Sequence, residues 1–168
     1  LSYVSSERFH NKTMHPNCPF ISASFGKTQI CASCEGFLGY VKCKNGKTGK
    51  SLKSFMGTIQ EIVDGGISES EMKRAKSAIL KSLRNDVESA GTRENSDFIG
   101  PLIEHFFEGF PYMTPKTEYA IADSLCRELT VEDFNTQLSL SFKQTVPVIV
   151  FTGMKTEGYL KSETIERW

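Results

Sequence analysis

The pattern that most constrains the fold is an early block of strand-type alternation, followed by a long stretch of helical periodicity. Apolar residues alternate with polar ones over 19–25, and a second extended run covers 29–43. Gly26-Lys27 separates the two runs and is typical of a tight turn. These features predict an antiparallel β-hairpin with strands over 19–25 and 29–43.

In most of the remaining chain, apolar residues recur at helical spacing. The predicted helices cover residues 2–14, 52–63, 68–90, 95–109, 115–129 and 131–142. A β-branched run over 146–152 predicts a last strand that joins the hairpin. Because strands and helices do not alternate, we expect an α+β fold of two layers, with helices packed on one face of a small antiparallel sheet.

Local capping motifs mark several helix starts. Ser68 and Glu71 form a capping box, in which each side chain bonds a backbone N–H of the other residue. Thr130 and Asp133 repeat this spacing, and Thr114-Pro115 places proline at a first helical position. The helix that begins at the Ser68 box is expected to break or kink around Gly91.

The chain has no internal repeat, low-complexity segment or linker, so its 168 residues predict a single domain over 1–168. Residues 154–168 are predicted to be a C-terminal extension or linker. Because the sequence begins at Leu1 and lacks a signal segment, we expect a fragment of a longer multi-domain protein.

Charge and hydropathy exclude two classes of partner. Twenty basic residues balance twenty acidic ones, so the chain has no net positive charge to attract nucleic acid. The longest apolar runs are far shorter than the roughly 20 residues of a membrane-spanning helix. We therefore expect neither nucleic-acid binding nor membrane insertion by this chain.

Five cysteines, an odd number, argue against a disulfide-stapled miniprotein in a chain with ample core-forming residues. Cys31 and Cys34 form a CxxC pair that is open to two interpretations. The first is a zinc or redox site, but the sequence has no second CxxC pair to supply the remaining ligands. The second is packing within a strand, where residues three apart point to opposite faces. The second interpretation is favoured.

Catalytic motifs are absent from the sequence. A hydrolytic zinc site needs two imidazoles one helical turn apart and a carboxylate, as in HxxEH or HExxH, and neither motif occurs. His105 and Glu108 form an HxxE, but Gly109 stands where the second histidine would be required. Nucleophile elbows of the GxSxG type and phosphate-binding loops are missing as well. The sequence therefore predicts no catalytic residue, no metal ligand and no cofactor in this chain.

Several segments follow one another in the order typical of a known family. They are GGISESEMKRAK over 65–76, IEHFFEGFP over 103–111, LTVEDFN over 129–135 and VIVFTG over 148–153. Upstream, ERF over 7–9 and PFISA over 19–23 correspond to a helix and the strand after it. In the order and spacing of these segments, the chain resembles the pitrilysin/insulinase family of zinc metallopeptidases over almost its whole length.

The resemblance carries specific implications. Family members are built from repeated α+β domains, of which one carries the inverted HxxEH zinc motif and others serve as chamber walls and substrate contacts. Without HxxEH, this chain is similar to a non-catalytic peptidase-like domain of a bacterial member, with zinc in the catalytic domain of a parent metalloendopeptidase. The implied partners are that HxxEH-bearing domain and a peptide substrate. Arg8 and Phe20 correspond to substrate-contacting positions, and the implied location is the bacterial periplasm or cell envelope.

A second hypothesis is a non-enzymatic α+β module for interaction or scaffolding. The neighbouring sequence discriminates between the two, because an HxxEH motif a few hundred residues upstream would favour the protease.

The cysteine pattern predicts that the thiols are mostly reduced and free of metal. Thiol titration of the denatured protein without reductant is expected to return close to the five cysteines of the sequence. A result of one thiol or none would reveal a disulfide framework instead.

Overall fold

The computed structural model describes residues 1–31, 34–143, 148–150 and 152, with the Cys31 side chain left out. Its elements in chain order are α1 (Ser2–Thr13), β1 (Phe20–Cys31), β2 (Cys34–Cys43), α2 (Thr48–Gly65), α3 (Glu69–Glu88), α4 (Ser96–Glu108), α5 (Pro115–Glu128) and α6 (Val131–Lys143). A single 3₁₀ turn over Ala90–Thr92 follows α3, at the predicted break around Gly91. The α+β class and the six predicted helices are confirmed.

The chain divides into two compact units. Among the described residues, the first unit contains Leu1–Gln29, Glu35–Ile67 and those from Asn135 onward, and the second contains Ile30, Cys31, Cys34 and Ser68–Phe134. The single-domain prediction remains a prediction, and the extension predicted over 154–168 lies outside the described residues.

Phenylalanine rings form the core of the first unit. Phe9 of α1 is 1% exposed, and its ring stacks on Phe55 of α2 at a centroid distance of 5.2 Å. The edge of the same ring meets Phe20 of β1 at 6.1 Å. Aromatic pairs at these distances stabilise a core beyond their buried area. The Phe9 ring of α1 therefore packs against both β1 and α2.

A second aromatic group attaches α6 to the hairpin. The rings of Phe25 and Phe37, from β1 and β2, stack at 5.7 Å. Phe142 of α6 meets both of them edge-on, at 6.2 Å and 5.4 Å. Phe142 lies far along the sequence from the hairpin. This contact therefore packs the last part of the first unit against its two strands.

The predicted position of the hairpin turn is wrong. Gly26 lies inside β1, and the chain passes from β1 to β2 between Cys31 and Cys34. A Cβ at Gly26 would lie 3.3 Å from the Ser2 side-chain carbon of α1. The glycine therefore permits a close approach of helix and strand, a use that local turn patterns do not reveal.

The prediction that Cys31 and Cys34 lie in one strand is wrong for the same reason, because Cys31 ends β1 and Cys34 begins β2. Cys34 is exposed, and the Cys31 side chain lies outside the described structure. Cys18, Cys43 and Cys126 are free thiols. The number of reduced thiols stays a prediction.

The second unit is helical, and α3 and α5 form its main contact. The predicted capping box at the start of α3 is confirmed. Ser68 Oγ accepts from the Glu71 N–H at 3.3 Å, and Glu71 Oε2 accepts from the Ser68 N–H at 2.8 Å. At the start of α6, Asp133 N–H donates to Thr130 Oγ1 at 3.1 Å, and the Thr130 hydroxyl donates to Asp133 Oδ2 at 2.6 Å.

The strand predicted over 146–152 is not found in its described part. Residues 148–150 have no strand structure, and Val148 and Val150 are 87% and 78% exposed. The sheet of the described chain consists of β1 and β2. A β-branched run forms a strand only where another strand pairs with it, because its propensity reflects packing on a sheet. The other residues of this prediction, apart from Thr152, lie outside the described chain.

Removing the Phe9 ring is expected to destabilise the first unit severely. The change Phe9→Ala should lower the free energy of unfolding by about 3–5 kcal/mol, because it leaves a cavity between α1, α2 and β1. Urea unfolding followed by circular dichroism measures this loss. The matched control is Phe106→Ala, because Phe106 is 79% exposed, and its cost should stay within about 0.5 kcal/mol. Similar losses in both variants would contradict the assignment of the core.

The capping box should contribute measurably to the second unit. Ser68→Ala leaves the Glu71 N–H without its side-chain acceptor and is expected to cost about 1 kcal/mol of unfolding free energy. Ser77→Ala on the exposed surface of the same helix is the control, and alanine propensity should leave stability unchanged or raise it by about 0.5 kcal/mol. Equal losses at the two serines in urea titrations would show that the cap is not the cause.

Candidate functional site

An open groove runs between α1 and the first half of β1, within the first unit. Its volume is about 530 Å³. The helix contributes residues spaced three and four apart, which form one helical face, and the strand contributes three consecutive residues. The lining residues are Tyr3, Ser6, Glu7, Phe9, His10, Thr13, Ile21, Ser22 and Ala23.

The groove is lined by both apolar and polar residues. Its apolar lining includes the buried Phe9, the half-buried Ala23 and Ile21, which is 54% exposed. Glu7 and His10 supply ionisable groups along the helix side. Concave sites of this composition bind small molecules or chain segments through apolar contacts, and their few polar groups set orientation.

Two contacts hold α1 against β1 beside the groove. Ser5 Oγ donates a buried hydrogen bond to the carbonyl oxygen of Phe25, and Ser5 itself is fully buried. Gly26 allows Ser2 to approach the strand closely. The helix is thus fixed near Phe25, while the strand residues from Ile21 to Ala23 remain open to the groove.

Strand β1 has one strand neighbour in the described chain, β2. Near the open end of the hairpin, Lys44 N–H donates to the carbonyl oxygen of Pro19 at 3.0 Å. A strand paired on one side only presents backbone donors and acceptors along its second edge. Among the described residues, the second edge of β1 therefore has no strand neighbour.

Arg8 lies outside the groove lining, on α1. It is half-buried, and its Nη2 donates to the carbonyl oxygen of Gly66 at 2.9 Å. Gly66 directly follows α2 with a φ of 70°, and a Cβ there would lie within 2.8 Å of the Asn135 amide. Asn135 also binds both backbone groups of Ile67, at 2.8 Å and 3.1 Å. Arg8 thus belongs to a network that fixes the end of α2.

Phe20, the second residue singled out by the sequence, is 1% exposed and packs against Phe9. Its side chain could reach a substrate only if the core opened. The structure therefore does not bring Arg8 and Phe20 together on one accessible surface.

The second unit has its own groove, of about 500 Å³, between α3, α5 and the beginning of α6. Lys76 crosses from α3 and donates to the carbonyl oxygen of Leu129 at 2.6 Å. Further along α3, Arg84 Nη2 donates to the Tyr119 hydroxyl at 2.9 Å, and its guanidinium carbon lies 5.7 Å from the ring centre. The hydrogen bond that Arg84 donates to Tyr119, together with the electrostatic contribution of Tyr119, raises the pKa of Arg84. Lys76 and Arg84 of α3 therefore form hydrogen bonds with α5 and the residue that follows it.

Helix α4 exposes an apolar face. No residue of this helix is buried. Five large apolar side chains that share one face are between 49% and 79% exposed, namely Ile99, Leu102, Ile103, Phe106 and Phe107. The acidic residues Asp97, Glu104 and Glu108 lie on the opposite face by helical spacing. An exposed apolar surface of this extent is typical of an interaction surface.

The histidines are scattered through the described chain. His10 lines the first groove, and His105 Nδ1 forms a 2.6 Å hydrogen bond with the carbonyl oxygen of Phe110 near the end of α4. Within the described residues, no three side chains of His, Cys, Asp or Glu lie together as metal ligands. The donor sets of this part of the chain therefore do not fit a zinc ion. In the same residues, no helix is both long and apolar enough to span a bilayer.

The groove was missed by sequence reasoning. Its helical residues follow a regular spacing from Tyr3 to Thr13 that could have been read as one face. However, that face is mixed in polarity, and only the tertiary position of β1 shows that it lines a groove.

Comparisons with known proteins give a structural result alone. No protein-family model and no curated protein sequence matches the chain. The crystal structure of the first half of the periplasmic protease PqqL from Escherichia coli is similar, with a TM-score of 0.75 and 16% sequence identity. The match covers 83% of this chain and 30% of that one.

The structure of the periplasmic protease PqqL from Escherichia coli gives the same TM-score and identity. The chain spans 16% of the length of that structure. At this level of identity the likeness establishes a shared fold. The chain therefore has the α+β architecture of one segment of a periplasmic protease.

Proposed function

We propose that this chain is a non-catalytic peptidase-like domain of a zinc metalloprotease of the pitrilysin/insulinase family. The observation that carries the proposal is the fold shared with PqqL, a periplasmic protease, over 83% of this chain. The order of sequence segments from 65 to 153 supports the same family independently of the structure.

The absence of a zinc motif from the sequence is the reason for assigning catalysis to another domain. Hydrolysis by zinc requires a cation that lowers the pKa of bound water and a carboxylate that accepts its proton. The sequence lacks the HxxEH motif that supplies both in this family. In the proposal, another domain of the parent protein carries HxxEH and the zinc ion, and this chain is its partner.

The proposed role of the chain is to form part of the chamber wall and to help enclose a peptide substrate. Of the two residues indicated by the resemblance, Arg8 has accessible surface and Phe20 does not. We therefore retain Arg8 as a substrate contact and assign Phe20 to the core. The periplasmic location of PqqL supports a bacterial periplasm or cell envelope as the site of action.

A second candidate function is a non-enzymatic module for interaction or scaffolding. The exposed apolar face of α4 favours this candidate, because such a surface is expected where a protein partner docks. Fold alone does not separate the two candidates, since one fold can carry different functions.

The first arm of the test uses the isolated chain. Metal analysis after dialysis and a fluorogenic peptide assay at high protein concentration are expected to detect neither stoichiometric zinc nor peptide cleavage. Stoichiometric zinc with chelator-sensitive cleavage would contradict a non-catalytic domain.

The second arm adds the HxxEH-bearing region of the parent protein. Cleavage should rise above the level of that region alone, and a glutamine in place of the motif's glutamate should abolish it. Association of the two proteins without any rise in cleavage would favour the scaffolding function. Absence of both association and cleavage would reject the proposed partnership.

A further inference from the structure

The turn between β2 and α2 contains an asparagine–glycine pair, Asn45 and Gly46, and both residues are exposed. Lys47 N–H donates to the carbonyl oxygen of Lys44 at 3.0 Å, so the pair forms the two central residues of a β-turn. The φ of Gly46 is 66°, a value that glycine adopts without the steric cost of a Cβ. The pair thus lies at an exposed tip, where a chain tolerates change.

The backbone nitrogen of Gly46 is available as a nucleophile. Within the described chain, the Gly46 N–H donates no hydrogen bond, and a Cβ placed on Gly46 would meet nothing within 4 Å. The electrophile is Cγ, the side-chain carbonyl carbon of the preceding residue Asn45, and attack on it closes a five-membered ring. Such an intramolecular attack is favoured because both groups belong to one short stretch of chain. The open surroundings leave room for the backbone rotation that brings the two atoms together.

Positive charge surrounds the turn. No acidic residue occurs over 36–60, and four lysines next to the turn are exposed, namely Lys42, Lys44, Lys47 and Lys50. Nearby positive charge favours the anionic form of an ionisable group. The lysines therefore favour both the deprotonated Gly46 nitrogen that attacks and the carboxylate that the reaction leaves behind.

We propose that Asn45 is a site of non-enzymatic deamidation. The Gly46 nitrogen gives its proton to hydroxide and forms a bond with Asn45 Cγ, and the side-chain nitrogen leaves as ammonia. One water molecule then opens the cyclic imide at either of its carbonyl carbons. The products are aspartate and isoaspartate, in which the main chain runs through the side-chain carbons. The net change is amide plus water to carboxylate plus ammonium, without oxidation or reduction.

Both products change the turn. Each introduces a negative charge into a segment, 36–60, that otherwise carries basic residues alone among its charged groups. Isoaspartate also adds a carbon to the main chain between Lys44 and Lys47, so we expect it to break the hydrogen bond between them. The turn does not line the groove between α1 and β1. The inference is therefore independent of the proposed function.

The first experiment follows the reaction in the full chain during incubation at mildly alkaline pH. Chymotryptic fragments are analysed by mass spectrometry, and isoaspartate is detected with an isoaspartyl methyltransferase. Asn11 is the internal control, because it is also exposed but lies within α1 and is followed by Lys12. Conversion at Asn45 should be at least about tenfold faster than at Asn11. Equal rates at the two asparagines, or no conversion at Asn45, would overturn the inference.

The second experiment uses isoelectric focusing of matched variants after the same incubation. The unchanged chain should develop a more acidic band. Asn45→Gln should abolish this band, because attack on glutamine must close a less favourable six-membered ring. Asn11→Gln is the matched control and should develop the band as the unchanged chain does. Circular dichroism verifies that both variants fold. An acidic band that persists in Asn45→Gln, or that disappears from both variants, would assign the change to another residue.

Discussion

The contact of Phe9 with Phe55 and Phe20 is the interaction on which the first unit depends. It brings α1, α2 and β1 together at one point, with ring centres 5.2 Å and 6.1 Å apart. Such a ring contributes both apolar burial and specific geometry, because aromatic pairs prefer stacked or edge-on arrangements. The orientation of α1 on the strand follows from this contact and from the Ser5 hydrogen bond to Phe25.

The same contact connects core and groove. Phe9 is buried in the core, yet it also lines the groove, together with Glu7 and His10 of the same helix. A rigid element that is anchored in the core positions a binding surface more precisely than a loop does. The groove is therefore lined by a helix that is anchored in the core of the first unit.

The chain shares a fold with one segment of PqqL, and its sequence contains no HxxEH motif. A helix pattern and a hairpin can persist at 16% identity because many apolar sequences satisfy the same packing. Metal ligands do not have this tolerance, since each must be a particular residue at a particular spacing. Fold and catalysis can thus be separated, as the proposal requires.

What the sequence determined by itself was local. The capping box at Ser68 and the threonine at Thr130 marked helix starts that the structure confirms, because a cap involves residues three apart. The tertiary structure alone decided where the hairpin turns, since Gly26 is required by the approach of Ser2 from a different element. It also placed Phe20 in the core and opened a groove beside Ile21. These properties depend on which distant residues meet, and periodicity along one element carries no information about its neighbour.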